Sequence, residues 1–358
     1  MQLTYDPQEL LKTHQVYEPV IFNGLRCHGG YDESGNYFSP RTYYRNQAIN
    51  NWQKNYQLNY GESLIDIPIS DFEPHYPNAR QMKYLLSLGI YTPLIATLTR
   101  IGIVEGYGSL LRYVAVANLE DYFDDDISQM ATGHLNKGLI EAHARDESGF
   151  ENEVGHSRMW PLVRDLLFEN PLNRSEVVDF LKKVNLIQDP TATNMPPIAQ
   201  SFEQLIPEID PSLETLIRRL MSVLLIELRA FRVFKWADEV IRTSDLSNVD
   251  EATKIVSFIR QDETPHVGYL TTVLSELKVL QFKGKNGKVY QGKPIIEKLL
   301  NHALNESRNV AEWRNVKMVS DEISLAISNR PNAQEILQTF QELSDRKIPE
   351  QFQVKLLN

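Results

Sequence analysis

Apolar residues recur at helical spacing along most of the chain. Between about residues 79 and 280 they return every three to four positions, as in helices that bury one face. PNARQMKYLLSLG and TPLIATLTRIGIVEG read as two apolar helices, and GSLLRYVAVANLEDYFDDDISQ as a third. A further helical region is predicted from about 135 to 169, with Gly138, Gly149 and Gly155 inside it. The pattern therefore predicts an all-α core.

Two long helices complete that predicted core. SLETLIRRLMSVLLIELRAFRVFKWADEVIRT is apolar nearly all round from Leu220 to Phe234, which indicates a central, buried helix. VDEATKIVSFIRQDETPHVGYLTTVLSELKVL follows it as the next helix. The polar, proline-containing stretch 170–212 before them predicts one short helix and connecting loops.

The two ends of the chain carry weaker signals. YDESGNYF suggests a β-hairpin and FSPRTYYRNQAINNW the start of a short helix, while FKGKNGKVYQG reads as a hairpin with an Asn-Gly turn. We therefore expect one domain in three parts: an irregular N-terminal extension packed on the core (1–78), a helical bundle (79–280), and a C-terminal hairpin followed by helices (281–358).

Composition narrows the environment and the partners. The 358 residues are 42% hydrophobic, with a net charge of −10 and a pI near 5.4, which argues against a nucleic-acid or anionic-membrane partner. The N-terminal MQLTYDPQEL lacks the pattern of a secretory signal, and the longest apolar stretch is broken by Pro93. We expect buried helices, no membrane span and a cytoplasmic protein.

The chain has a single cysteine, Cys27, so an internal disulfide or a thiolate cage is excluded. A metal would therefore be held by carboxylates and imidazoles.

Glu-x-x-His occurs twice in the predicted helices. In IRQDETPHVGYL, Glu263 precedes His266 by three residues, and in ENEVGHSRMW, Glu153 precedes His156 by three. Residues three apart share a helix face, with Cβ atoms about 5–6 Å apart. Two such helices, with one carboxylate from each of two others, would offer two metals four carboxylates and two imidazoles.

Each motif has a candidate partner acid upstream. Glu227 is the only acid between Glu214 and Asp238, and a carboxylate buried there needs a cation, a metal or a proton. Glu120 is the candidate before the first motif, with Glu105 and Glu141 as alternatives. The spacings are similar: 36 residues from Glu227 to Glu263, and 33 from Glu120 to Glu153.

These segments resemble the ferritin-like di-iron oxidase superfamily, in which a Glu or Asp is followed after about thirty residues by Asp-Glu-x-x-His, twice. The second half fits fully, with Asp262 before Glu263, whereas Asn152 stands where the first half often has Asp. The resemblance covers about residues 105–275. It implies a ferritin-like four-helix bundle in which Asp262, and Asn152 as a neutral substitute, hydrogen-bond metal-ligating histidines.

The resemblance and the oxygen-rich ligand set imply two Fe ions, with Mn as the alternative. We expect an O2-dependent di-iron oxygenase or oxidase acting on a small organic substrate by hydroxylation, N-oxygenation or halogenation. Arylamine N-oxygenases carry an additional histidine where Ile259 stands, which disfavours that branch. The expected partners are O2, the substrate, an external electron donor such as a ferredoxin or flavin reductase, and, as an open alternative, a second copy in a homodimer.

Two other function classes compete. A ribonucleotide reductase small-subunit-like radical or metal oxidase fits in length, but Trp160 replaces the family's radical tyrosine and no tyrosine follows Tyr290. A ferritin-like storage or purely structural metal-binding protein would not need the two long ends. The remaining histidines look less specific: we interpret His143 as a pocket or surface residue and His28 as structural.

Overall fold

The computed structural model describes residues 3–13, 18–72, 77–114, 116–168, 203–308, 312–328 and 330–357. It is 65% helix and 8% strand, which confirms the all-α class with small sheets at the ends. The short helix and loops predicted for the stretch 170–212 fall mostly on residues outside this description; from Pro211 the chain is already helical.

The helices follow the apolar segments of the sequence. In chain order, the α-helices are α1 Pro7–Leu10, α2 Thr42–Tyr60, α3 Ala79–Ser87, α4 Thr92–Gly106, α5 Ile140–Ser148, α6 His156–Leu167, α7 Pro211–Arg242, α8 Val249–Val279, α9 Gly292–Glu306, α10 Glu312–Ser328 and α11 Ala333–Glu342. Local chemistry sets their ends: Asn78 and Gln81 form a capping box at α3, and Asp210 caps α7 with Pro211 in its first turn.

Two small antiparallel sheets lie at the predicted hairpins. β1 Glu18–Phe22, β2 Leu25–Tyr31 and β3 Tyr37–Phe38 form a sheet in sequence order, with Tyr31 opposite Tyr37. β4 Gln281–Lys283 pairs with β5 Val289–Gln291. The N-terminal part is more regular than expected, because α2 continues for 19 residues beyond the sheet.

The prediction of a continuous helix from Gly108 onward is wrong. The structure has short 3-10 turns at Gly108–Val114 and Leu119–Tyr122 instead. Asn118 adopts a left-handed conformation with φ 50°, which ends any continuous helix before the acidic run that follows. The helical region from 135 to 169 is likewise divided, with a loop between α5 and α6.

The core helices pack α4 on α6, α6 on α8, and α7 on α8, while α2 lies along α8. Their apolar side chains form two clusters. α7 contributes residues up to Leu228 to one cluster and residues from Ala230 to the other; α8 crosses between the same clusters after Ile259 and before Tyr269. Both helices therefore pass from one apolar cluster to the other near their buried glutamates, Glu227 in α7 and Glu263 in α8.

Among the residues that the structure describes, one helical stretch, Thr92–Val114, is long and apolar enough to cross a membrane by length and composition alone. In the structure, 56% of its most apolar window is buried, and a core helix meets the same criterion. The expected absence of a membrane span stays a prediction.

Candidate metal centre

Acidic and imidazole side chains from α4, α5, α6, α7 and α8 meet in the interior where the two apolar clusters join. Each is at most 6% exposed. The cluster consists of Glu105 from α4, His143 and Glu147 from α5, His156 at the start of α6, Glu227 from α7, and Glu263 and His266 from α8. The imidazoles of the two halves lie close together, with 6.0 Å between the ring centroids of His156 and His266.

These side chains form two overlapping groups, and within each group the ligand-type atoms lie within 4.8 Å of one another. The oxygen-rich position consists of Glu105, Glu147, His156 and Glu263. The nitrogen-rich position consists of His143, Glu147, Glu227 and His266. Buried groups of this kind could hold a metal ion, and because Glu147 belongs to both, the two positions adjoin.

Glu263 belongs to the oxygen-rich position and also contacts the histidine of the nitrogen-rich one. One of its oxygens lies 2.9 Å from His156 Nδ1 and the other 2.7 Å from His266 Nδ1. Glu147 Oε1 lies 3.3 Å and 3.4 Å from the same two nitrogens. Both histidines thus turn Nδ1 toward the cluster, and the two carboxylates could each bridge a pair of cations.

The opposite nitrogens of these histidines face buried aspartates. His156 Nε2 lies 3.3 Å from Asp262, and His266 Nε2 lies 2.9 Å from Asp146. The connection is crossed, because each aspartate precedes the glutamate of one half and contacts the histidine of the other. A carboxylate that accepts a hydrogen bond from one imidazole nitrogen fixes the tautomer and makes the other nitrogen a stronger metal ligand. His28, His156 and Asp262 also lie close enough to form a third group of ligand-type atoms.

A glycine-bounded loop separates Glu147 from His156. Gly149 has φ 85°, and a Cβ there would lie 2.5 Å from the carbonyl oxygen of Glu153. A Cβ on Gly155 would lie 2.4 Å from the carbonyl oxygen of Asp146. Only glycine allows this close approach, so the loop returns the chain to place His156 beside Glu147.

Burial and mutual repulsion shift the pKa values in the cluster. Burial raises the pKa of Glu105, Glu147 and Glu263 well above the ordinary glutamate value, and neighbouring carboxylates raise it further. Burial would lower the pKa of His156, but Glu263 and Glu147 hold it well above its usual value. For Glu227 burial would raise the pKa, yet contact with His143 lowers it. The packing of these groups thus favours the protonated forms of the three glutamates and of His156, and the charged form of Glu227.

Several ligand-type atoms in the cluster are buried without a hydrogen-bond partner. They are Glu105 Oε2, His143 Nε2, Glu147 Oε2 and Glu263 Oε1. A buried polar atom left without a partner costs about 1–3 kcal/mol. Divalent cations would satisfy these atoms and offset the carboxylate charge, so the residues present fit a pair of metal ions.

The structure brings together four of the six ligands predicted from the sequence: His156, Glu227, Glu263 and His266. It does not bring in Glu120, which is exposed in a 3-10 turn. Nor does it bring in Glu153, which lies in the loop before α6 and pairs with Arg26 at 3.1 Å.

The expectation is corrected to Glu105 and Glu147 in place of Glu120 and Glu153. The physical reason is the break in the helix: residues 149–155 are not helical, so Glu153 and His156 do not share a face. Glu105 was an open alternative from the sequence. Glu141, the other alternative, instead pairs with Arg112 and Arg145.

Of the two residues predicted to hydrogen-bond the ligating histidines, the one in the second half lies beside the cluster and the one in the first half does not. Asp262 is fully buried and lies 3.3 Å from His156 Nε2. Asn152 is exposed in the loop, and Asp146 contacts His266 instead. The pair Asp146-Glu147, matching Asp262-Glu263, was the signal in the sequence that could have located the first half.

His143 was interpreted as a pocket or surface residue, but it is fully buried in the cluster. Its Nε2 lies 3.3 Å from Glu227 and 3.7 Å from Glu147, and its ring stacks on His266 at 3.9 Å. Its Nδ1 lies 3.0 Å from the hydroxyl of Tyr269. His143 precedes Glu147 by one helical turn, a spacing that the correct helix boundary would have revealed.

Comparisons of the chain with protein-family models, with curated proteins and with solved structures gave no match.

Proposed function

We propose that the protein is a non-heme di-iron oxygenase or oxidase of the ferritin-like type, which uses O2 to oxidise a small organic substrate. The observation that carries the proposal is the pair of buried ligand groups joined at Glu147. The two positions together offer four carboxylates and three imidazoles, a hard ligand set suited to iron or manganese.

The charge and burial of the cluster support a redox pair of ions. Four glutamate charges would balance two divalent cations, so the loaded centre would be close to neutral inside the apolar core. When bound, two ferrous ions would supply electrons for the reduction of O2. The chain's own contribution is to hold the ligands, to exclude bulk water and to fix the imidazoles through Asp146 and Asp262.

The substrate and the electron donor follow from this proposal as expectations. A small organic molecule is oxidised, and an external ferredoxin or flavin reductase returns electrons to the centre. Hydroxylation, N-oxygenation and halogenation all remain within the proposed class.

Metal loading followed by O2 tests the proposal. Protein produced with iron, and separately with manganese, should contain two ions per chain by elemental analysis. After anaerobic loading with Fe(II), addition of O2 should give a transient visible absorption band. A colourless, unchanged spectrum with two irons bound would contradict the oxidase and leave a metal-binding protein.

A radical-storing metal oxidase is the second candidate, and Tyr269 favours it. This tyrosine is fully buried, and its hydroxyl lies 3.0 Å from His143 in the cluster. A stable tyrosyl-radical signal in electron paramagnetic resonance (EPR) after O2 addition, lost in Tyr269→Phe, would select this function. A spectrum without such a signal would favour substrate oxidation.

A further inference from the structure

The two aspartates behind the cluster are held by different partners. Asp146 accepts hydrogen bonds from Arg41 and Arg45, the latter at 2.7 Å. Asp262 lies 2.7 Å from His28 Nε2 and accepts hydrogen bonds from the hydroxyl of Tyr37 at 2.8 and 2.9 Å.

All of these partners come from one N-terminal segment, residues 28–45. His28 lies in β2, Tyr37 begins β3, and Arg45 lies in the first turns of α2. His28, Arg41 and Arg45 are at most 1% exposed. The segment therefore forms an outer layer over both histidines, although it lies far from them in sequence.

The outer layer compensates the charges of the two aspartates to different extents. Two guanidinium groups beside Asp146 compensate its charge, so less negative charge acts on His266. Asp262 contacts an imidazole, a phenol and His156, none of which is a guanidinium. The charge of Asp262 is therefore not compensated by guanidinium groups in the way that the charge of Asp146 is.

The inner ligands of the two positions also differ. Glu147 and Glu263 contact the histidines of both positions, and each position has one glutamate of its own, Glu105 or Glu227. The nitrogen-rich position has two imidazoles, whereas the oxygen-rich position has one. The oxygen-rich position therefore has the larger share of carboxylate ligands, which favours binding of a hard divalent cation there.

We propose that His28 and Tyr37 are positioning residues for the oxygen-rich metal position, and Arg41 and Arg45 for the nitrogen-rich one, so that the two ions bind unequally. This inference rests on the proposed metal function. The oxygen-rich position takes the first equivalent of Mn²⁺.

Single-position variants separate the two sites for measurement. Glu227→Gln removes a ligand unique to the nitrogen-rich position, and Glu105→Gln removes one unique to the oxygen-rich position. Binding of Mn²⁺ alone is followed by the loss of the free-ion EPR signal. In wild type, two ions should bind in two resolved steps.

Tyr37→Phe is then introduced into each background. It removes the hydroxyl that contacts Asp262 while keeping the ring that stacks on Phe258 at 3.9 Å. We expect Mn²⁺ affinity to fall about tenfold in the Glu227→Gln background and to change less than about twofold in the Glu105→Gln background. His28→Gln should have the same selectivity.

Tyr31→Phe is the matched control, because Tyr31 also packs against Phe258, with ring centroids 6.0 Å apart. It should change neither affinity. Equal weakening by Tyr37→Phe in both backgrounds would overturn the inference while leaving the metal function intact. Absence of Mn²⁺ and Fe²⁺ binding in wild type would overturn the proposed function itself.

Discussion

The two halves of the candidate centre place equivalent ligands by different local structures. In the second half, Glu263 and His266 stand one turn apart on the continuous helix α8. In the first half, Glu147 lies in the last turn of α5 and His156 is the first residue of α6. A loop between Gly149 and Gly155 separates the two helices. The spatial result is similar, since each glutamate contacts both histidines. Ligand geometry is thus shared, while sequence spacing is not.

Loss of the shared carboxylate should have the largest effect. Glu147→Gln keeps the shape but removes the charge that both positions use, so we expect affinity for both ions to fall more than about 100-fold, beyond the 10–100-fold effect typical of outer residues. The matched control is Glu153→Gln, which changes a loop acid paired with Arg26. Metal content by elemental analysis should fall to near zero in the first variant and stay at two in the second. The opposite result would show that Glu153, and not Glu147, is the ligand in the first half.

The loop of the first half should be sensitive to any side chain at Gly149. We expect Gly149→Ala to destabilise the fold by roughly 3 kcal/mol, through its positive φ and the overlap with the carbonyl of Glu153. Gly24→Ala is the control: its φ is 74°, but the added Cβ meets nothing within 4 Å, so about 1 kcal/mol is expected. Urea unfolding of both variants measures the difference. Equal losses would show that backbone conformation alone matters at Gly149.

Metal binding should strengthen as pH rises. Because the pKa values of Glu105, Glu147 and Glu263 are raised, these groups hold protons to a higher pH than ordinary glutamates do, and an incoming cation must displace them. For each proton displaced, affinity should rise by about tenfold per pH unit below the relevant pKa. Titrations with Mn²⁺ at pH 6 and pH 8, in buffers of different ionisation enthalpy, measure both affinity and proton release. Affinity that is constant across this range would contradict the protonated cluster.

The smallest effect is expected for Glu141 on α5, outside the cluster. Its ion pairs with Arg112 and Arg145 are about a third exposed at the carboxylate, so solvent screens them. Glu141→Gln should cost no more than about 0.5 kcal/mol and leave two metal ions bound. Thermal unfolding and metal analysis of the same sample check both expectations. Loss of an ion would place Glu141 in the ligand set after all.

The fold class and the second half of the candidate site could be predicted from the sequence. Helical periodicity located α7 and α8, and an isolated acid in an apolar helix marked Glu227. These inferences depend on regular helices, in which spacing fixes direction.

The first half depended on where a helix ends. Gly149 and Gly155 were visible inside the predicted helix, but their close approach to the backbone of residues 146–153 is a tertiary property. A regular helix assumed through this loop assigned Glu153 to the site and left Glu147 out. The contacts of His28, Tyr37 and the two arginines could not be predicted, because they join segments more than 100 residues apart.

The central claim is that two adjacent cations share Glu147. Crystals of the protein grown with Mn²⁺ and measured near the manganese absorption edge test it directly. We predict two anomalous peaks in the interior, one beside Glu105 and His156 and the other beside His143, Glu227 and His266, with Glu147 between them. Peaks confined to the surface, or an interior without any peak, would contradict the account.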